Sequence, residues 1–264
     1  MGGAEGDGLL HHFVKMCGGD DARIIVCGTP SESVEDREHA YRKVFERFGA
    51  AEVMEPDITN RHDGAQKELQ DLVKRATGIF YTGGDQLRLT AIVAGTPFGN
   101  AVAERIFNDG LVAGGTSAGS AAMTSTMFIS GASRGSVRRA DVSLAPGLGY
   151  WRDCVVDTHF AQRGRVSRML VVFAHNPQIL GVGIDEDTAI EVEPGVGFKV
   201  YGNGAVFVFD GTVTHSSAPE AADDEIIALT DSAMHVLRKG YSFNLRTKRP
   251  ILPDGTVVPP KSAP

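Results

Sequence analysis

Short apolar runs alternate with amphipathic ones through the first half of the chain. Arg23-Ile24-Ile25-Val26-Cys27 is β-branched, is closed by Gly28 and reads as a buried strand. Ser33 then stands as the N-cap of a helix in which Tyr41, Val44, Phe45 and Phe48 recur at i, i+3, i+4 and i+7, with Gly49 as its stop. Thr77-Gly78-Ile79-Phe80-Tyr81 is a second strand running into Gly83-Gly84, and Leu87 to Val93 has a helical pattern. Leu111-Val112-Ala113 is a third strand, followed by a helix after Ser117. This β-α-β-α order predicts a mostly parallel sheet covered by helices, with sites at the carboxyl ends of the strands, where both glycine turns fall. Later the pattern changes. Gly181 to Ile184, Thr188 to Val192 and Ala205 to Phe209 read as short antiparallel additions at the sheet's edge. Residues 1–250 are expected to form one domain, and the proline-rich 251–264 a loose tail.

Composition narrows the function. With 264 residues, 42% hydrophobic and 22% charged, the chain has the balance of an ordinary globular protein. No apolar run approaches the roughly 20 residues of a membrane span, and the N-terminus lacks the basic and apolar regions of a signal peptide, so a cytoplasmic location is expected. The 33 acids against 26 bases give a net charge of -7, which repels polyanions and suits a cationic substrate. Cys17, Cys27 and Cys154 are odd in number and lack CxxC spacing, which indicates neither a disulfide framework nor a zinc site.

The candidate chemistry lies at the seam between the third strand and its helix. Gly115-Thr116-Ser117-Ala118-Gly119 matches G-x-S-x-G, a sharp turn that lifts a serine hydroxyl above a sheet, where amides at the helix start can donate to an oxyanion. A second match, Gly131-Ala132-Ser133-Arg134-Gly135, is followed by a loop pattern and is discarded. The plainer alternative is a glycine turn that closes a strand-helix unit or cradles a phosphate, although no P-loop lysine follows. A serine nucleophile needs a base and a group to orient that base. Of eight histidines, His159 stands out at a strand end among polar residues, though a structural histidine is the commoner case. Its orienting acid could be Glu186 or Asp185, in a run that could equally be a solvated turn. Arg165 and Arg168 share a flank at the start of a helix expected to bury Val166, Met169, Leu170 and Phe173. Their charge opposes the helix dipole unless carboxylates meet it, from the protein itself or from a substrate.

Taken together, Phe80-Tyr81-Thr82-Gly83-Gly84-Asp85-Gln86, Gly115 to Gly119, Asp157-Thr158-His159-Phe160-Ala161-Gln162-Arg163-Gly164-Arg165 and Gly183-Ile184-Asp185-Glu186-Asp187-Thr188-Ala189 resemble the cyanophycinases, relatives of the aspartyl dipeptidases. The resemblance runs from Gly2-Gly3-Ala4-Glu5 to about Pro250. It implies an α/β flavodoxin-like three-layer sandwich with a mostly parallel central sheet, usually dimeric, that hydrolyses cyanophycin to β-aspartyl-arginine dipeptides without a metal or other cofactor. By block matching, Ser117 corresponds to the nucleophile, His159 to the base and Glu186 to the orienting acid. Gly84, Asp85 and Ala118 fall at the oxyanion hole, and Gln86, Asp157, Thr158, Arg163, Arg165 and Arg168 at the substrate site. Thr158 stands where relatives often carry glutamine, which leaves an aspartyl or isoaspartyl dipeptidase as the sibling reading and an idle peptide-binding module as the reading from another class. Relatives also carry a hydrophobic strand before the Gly-Gly-Ala-Glu motif, which here follows Met1 directly, so either a start further upstream or a divergent member is expected.

Overall fold

The computed structural model describes residues 1–131, 137–210 and 215–259. Backbone packing groups the chain into two compact units, one from 5–129 with 144–152, the other from 1–4, 130–143 and 153–264.

The first unit is an α/β sandwich. Its strands β1 (Arg23–Cys27), β2 (Glu52–Met54), β3 (Gly78–Tyr81) and β4 (Val112–Gly115) are all parallel and lie in the order β2-β1-β3-β4. That order is the opening of the flavodoxin-like arrangement, in which ligands bind beyond the carboxyl ends where the winding reverses, here between β1 and β3. Its helices are α1 (Asp7–Met16), α2 (Val34–Arg47), α3 (Lys67–Arg75), α4 (Gln86–Val93), α5 (Pro97–Asn108) and α6 (Ala118–Ala122).

The period of two along the strands explains why both faces are covered. Ile25, Cys27, Ile79 and Tyr81 pack with Leu69 and Val73 of α3, Leu89 and Val93 of α4, and Phe98 and Val102 of α5. Phe80 points the other way, with ring centroids 5.3 Å from Phe13 of α1, 5.3 Å from Phe45 and 4.8 Å from Tyr41 of α2. Each such buried side chain stabilises the layer by roughly 1.5–3 kcal/mol. Gly114 lies in register with Phe80, and a Cβ there would stand 2.5 Å from the Phe13 ring, so glycine lets α1 close on the sheet.

β5 (Thr126–Gly131) and β6 (Val142–Pro146) form a two-stranded ribbon. In the second unit β7 (Cys154–Thr158) and β8 (Leu180–Ile184) are parallel and joined through α7 (Val166–His175). Of the three segments expected as antiparallel edge additions, Gly181 to Ile184 is instead β8, parallel to β7 because α7 provides a crossover, and the other two are antiparallel but lie in sheets separate from β2-β1-β3-β4. β11 (Ala205–Asp210) pairs with β8 and with Ala233–Arg238, while β9 (Thr188–Glu193) and β10 (Gly197–Gly202) form another antiparallel sheet with Ser242–Asn244 and Arg249–Ile251.

Two local expectations change. α7 buries Met169 and Phe173 as expected, but also Arg168, Val171, Val172 and Ala174, whereas Val166 is exposed and Leu170 only half-buried. Residues 250–258 turn back on themselves, with Leu252 N–H donating to Thr256 O (2.8 Å) and Val258 N–H to Pro250 O (2.9 Å). The discarded Ser133 match lies outside the described residues. Among the described residues no helix is long and apolar enough to cross a membrane.

Candidate active site

β4 ends at Gly115 and α6 begins at Ala118, so Thr116 and Ser117 are the whole turn. Ser117 adopts φ 50° and ψ -117°, a conformation that costs a non-glycine residue about 1–3 kcal/mol and persists only where its surroundings impose it. The surroundings are backbone. A Cβ on Gly115 would lie 2.8 Å from the Gly119 carbonyl carbon, and one on Gly119 would lie 2.3 Å from Tyr81 O and 2.6 Å from Thr82 O. The first turn of α6 is thus seated directly on the end of β3, and both glycines of G-x-S-x-G are steric necessities. Thr116 N–H donates to Tyr81 O (3.1 Å), Gly119 N–H to Thr116 O (2.9 Å) and Ala121 N–H to Ser117 O (3.0 Å).

The turn after β3 lies beside this one. A Cβ on Gly83 would be 3.5 Å from Ser117 Cβ. Gly84 has φ 143°, and a Cβ on it would stand 2.0 Å from Pro30 O. Asp85 N–H donates to Pro30 O (2.8 Å), and its carboxylate caps α4 by accepting from the amides of Leu87 (2.7 Å) and Arg88 (3.2 Å). The Asp85 amide is therefore engaged within the protein, and the carboxylate organises the helix. Gln86 donates from Nε2 to Phe128 O (2.6 Å). The cysteines offer no competing nucleophile. Burial pushes the Cys17 thiol up to about 12, Cys27 up to about 11 and Cys154 well above the usual range, so all three are protonated at neutral pH.

In the second unit β7 delivers His159 at φ 49°, with its side chain mostly buried. Its Nδ1 meets Glu186 Oε1 at 2.7 Å. An ionised carboxylate only accepts, so Nδ1 carries the proton and Nε2 is the basic nitrogen. The first residues of the chain hold the imidazole in place. His159 N–H donates to Gly2 O (2.9 Å), Asp187 N–H to Gly3 O (2.9 Å) and Gly2 N–H to Thr188 O (2.9 Å). A Cβ on Gly3 would fall 2.2 Å from His159 Cε1, so the ring rests against glycine backbone. Sequence reading had no signal for this seat beyond the glycine pair itself.

The geometry also separates the two acids that the sequence left open. Asp185 is buried and accepts from Ala161 N–H (2.9 Å) and Ala205 N–H (3.2 Å), which ties the loop after β7 to the start of β11. Glu186 faces the histidine, with its amide donating to Gln162 Oε1 (3.2 Å).

Three residues expected at the substrate site form a bonded cluster of their own. Asp157, 2% exposed, accepts from Arg165 Nη1 (2.7 Å) and from Arg168 Nε (2.5 Å) and Nη2. Arg165 Nη1 also donates to Thr158 O (2.6 Å), and Thr158, itself buried, donates its amide to Asp157 Oδ1 (2.9 Å). Two guanidiniums sharing one buried carboxylate explain how arginines are tolerated at the start of α7. Arg163 is exposed.

Comparison with known proteins identifies the family. The family model for peptidase family S51 matches residues 2–197. A cyanophycinase of Geminocystis herdmanii is 35% identical over 256 residues, covering 95% of this chain and 94% of its own. A cyanophycinase of Trichormus variabilis is 33% identical over 258 residues, covering 96% and 86% respectively. Among solved structures, a peptidase from an acI-B1 actinobacterium superposes with a TM-score of 0.63 at 20% identity, covering 88% of this chain and 95% of its own. A putative peptidase E protein of Listeria monocytogenes gives 0.53 at 17% identity, covering 76% and 96%. These two support the fold, and the family match over most of the chain supports more: the chain belongs to peptidase family S51 and is a serine-type peptidase.

Proposed function

We propose that the protein hydrolyses cyanophycin, releasing β-aspartyl-arginine dipeptides through an acyl-enzyme on Ser117. The observation that carries this reading is the His159–Glu186 hydrogen bond of 2.7 Å, set in a chain 35% identical to a cyanophycinase over nearly its whole length. In this reading His159 Nε2 takes the Ser117 proton as the hydroxyl attacks the scissile carbonyl carbon, and Glu186 stabilises the imidazolium that forms. The same proton then passes to the leaving amine, and water repeats the sequence on the ester. The amides of Gly84 and Ala118 donate to the oxyanion; Asp85 N–H is directed at Pro30 O and serves the turn rather than the reaction. Gln86 and the exposed Arg163 contact substrate, and Arg163 pairs with substrate carboxylates. Asp157, Thr158, Arg165 and Arg168 form the bonded cluster that immediately precedes and follows His159 in the chain.

A net charge of -7 favours a polymer bearing arginyl groups. The buried Thr158, in place of a longer amide, favours the second reading, a dipeptidase for short aspartyl or isoaspartyl peptides. The test is release of soluble dipeptide from insoluble cyanophycin, with Ser117→Ala alongside and an aspartyl dipeptide as competing substrate. Polymer breakdown that the mutant lacks is the expected result. Cleavage of the dipeptide alone transfers the function to the second reading, and full activity in Ser117→Ala contradicts the serine assignment. A homodimer in the cytoplasm belongs to the same proposal, and light scattering with cell fractionation checks it.

A further inference from the structure

The Gly-Gly-Ala-Glu motif does more than seat His159. Its last residue, Glu5, belongs to the unit that carries the serine, where it meets the nucleophile turn itself. Thr116, immediately before Ser117 and 3% exposed, donates its hydroxyl to Glu5 Oε2 at 2.7 Å. The other carboxylate oxygen accepts from Tyr41 OH of α2. Tyr41 is in turn packed on Phe80 of β3, 4.8 Å between centroids. A carboxylate acceptor makes these bonds about twice as strong as neutral ones.

Close backbone contact at Gly115 and Gly119 holds Ser117 at φ 50° on the side of the sheet. Steric contacts prevent the turn from moving down into the sheet, and relaxation outward needs a separate restraint. The Thr116 amide bond to Tyr81 O supplies part of it. The Thr116 side chain, anchored through Glu5 to α2, supplies a further part.

We propose that Glu5 is a positioning residue: its carboxylate holds Thr116 so that Ser117 keeps the strained conformation in which its hydroxyl can attack. This rests on Ser117 being the nucleophile for its kinetic consequence but not for its structural one. The same feature assigns Thr116 a specific duty, since serine preserves the bond at this position and valine, nearly the same shape, removes it.

The test is a double-mutant cycle with two readouts. Glu5→Ala and Thr116→Val are each expected to lower kcat by about 10–100-fold with KM within about twofold, since only an arrangement used in the transition state is lost. The double mutant is expected to be no slower than either single one, because both remove the same bond. Glu5→Gln and Thr116→Ser, which keep an acceptor and a donor, are expected to stay within about threefold of the parent. Hydrogen exchange at the Gly119 amide, which reports the Thr116–Gly119 turn without any substrate, is expected to rise at least about tenfold in Glu5→Ala and Thr116→Val while the amides of β1 and β3 stay protected. Multiplicative losses in the double mutant, or unchanged Gly119 exchange in both single mutants, overturn the proposal. If neither cyanophycin nor the dipeptide is turned over at all, the proposed function has failed and the exchange data alone decide the role of Glu5. Should Glu5→Ala not fold, Thr116→Val interrogates the same bond from its other end.

Discussion

The turn that presents Ser117 and the turn that presents His159 solve the same problem by different means. Both hold a functional side chain at positive φ, 50° for Ser117 and 49° for His159. Around the serine the restraint is mainly close backbone contact, with two glycines required because their missing Cβ atoms would collide with Tyr81, Thr82 and Gly119. Around the histidine much of the restraint is hydrogen bonding: Gly2 O takes its amide, Glu186 takes its ring, and Asp185 pins the following loop. The serine turn is intolerant of volume added at Gly115 or Gly119, and the histidine turn depends on its acceptors as well as on the bare backbone of Gly3.

Substitutions that keep shape but change charge should therefore act mainly on the histidine turn, and volume added at Gly115 or Gly119 on the serine turn. The largest effect is expected from Glu186→Gln, which keeps volume but no longer secures the proton on Nδ1, so kcat should fall by roughly 10⁴-fold with little change in Tm. Asp185→Asn, one residue away, should mainly lower Tm, since its partners are amides of the scaffold. Equal loss of activity at matched stability in the two would erase the distinction drawn between them. Next is Arg168→Met. Removing one partner of a buried ion group leaves Asp157 under-compensated, and urea melts should show a loss of about 3–5 kcal/mol. A variant as stable as the parent, but with raised KM, would return Arg168 to the substrate. On the steric side Gly119→Ala adds one methyl against two carbonyl oxygens and should destabilise by about 1–3 kcal/mol while also slowing acylation.

The smallest effect concerns Glu38, whose carboxylate lies under the loop after β1 and accepts from Gly28 N–H (2.8 Å). Burial first, with help from Glu55 and Asp57, raises its pKa from 4.5 to about 7. Between those values the folded protein holds a proton that the unfolded chain has released, so stability falls as pH rises through that window. Glu38→Gln keeps an acceptor for Gly28 and removes the titration. Its expected signature is a flatter stability profile and a gain on the order of 1–2 kcal/mol at pH 8; an unchanged slope would mean that Glu38 is ionised in the fold.

The same contrast explains what was legible in the sequence. The parallel sheet and the serine turn were readable because sterics leave a fixed spacing, an apolar strand followed by glycines two residues either side of Ser117. The histidine turn was harder. Asp185 and Glu186 are adjacent and chemically alike, and their partners, Ala161, Ala205 and His159, come from other stretches of the chain. Arg165 and Arg168 showed a shared flank, but not that Asp157 lies between them. Glu5 and Thr116 are 111 residues apart, and a pairing at that separation has no local signature.

In the proposed mechanism Ser117 is the nucleophile activated by the His159–Glu186 pair. The most direct test is peptide mass spectrometry after brief exposure of the native protein to a fluorophosphonate, with His159→Ala in parallel. The account predicts a single adduct on Ser117 that forms far more slowly in the mutant. Labelling of another serine, or a Ser117 adduct that forms just as fast without His159, would contradict it.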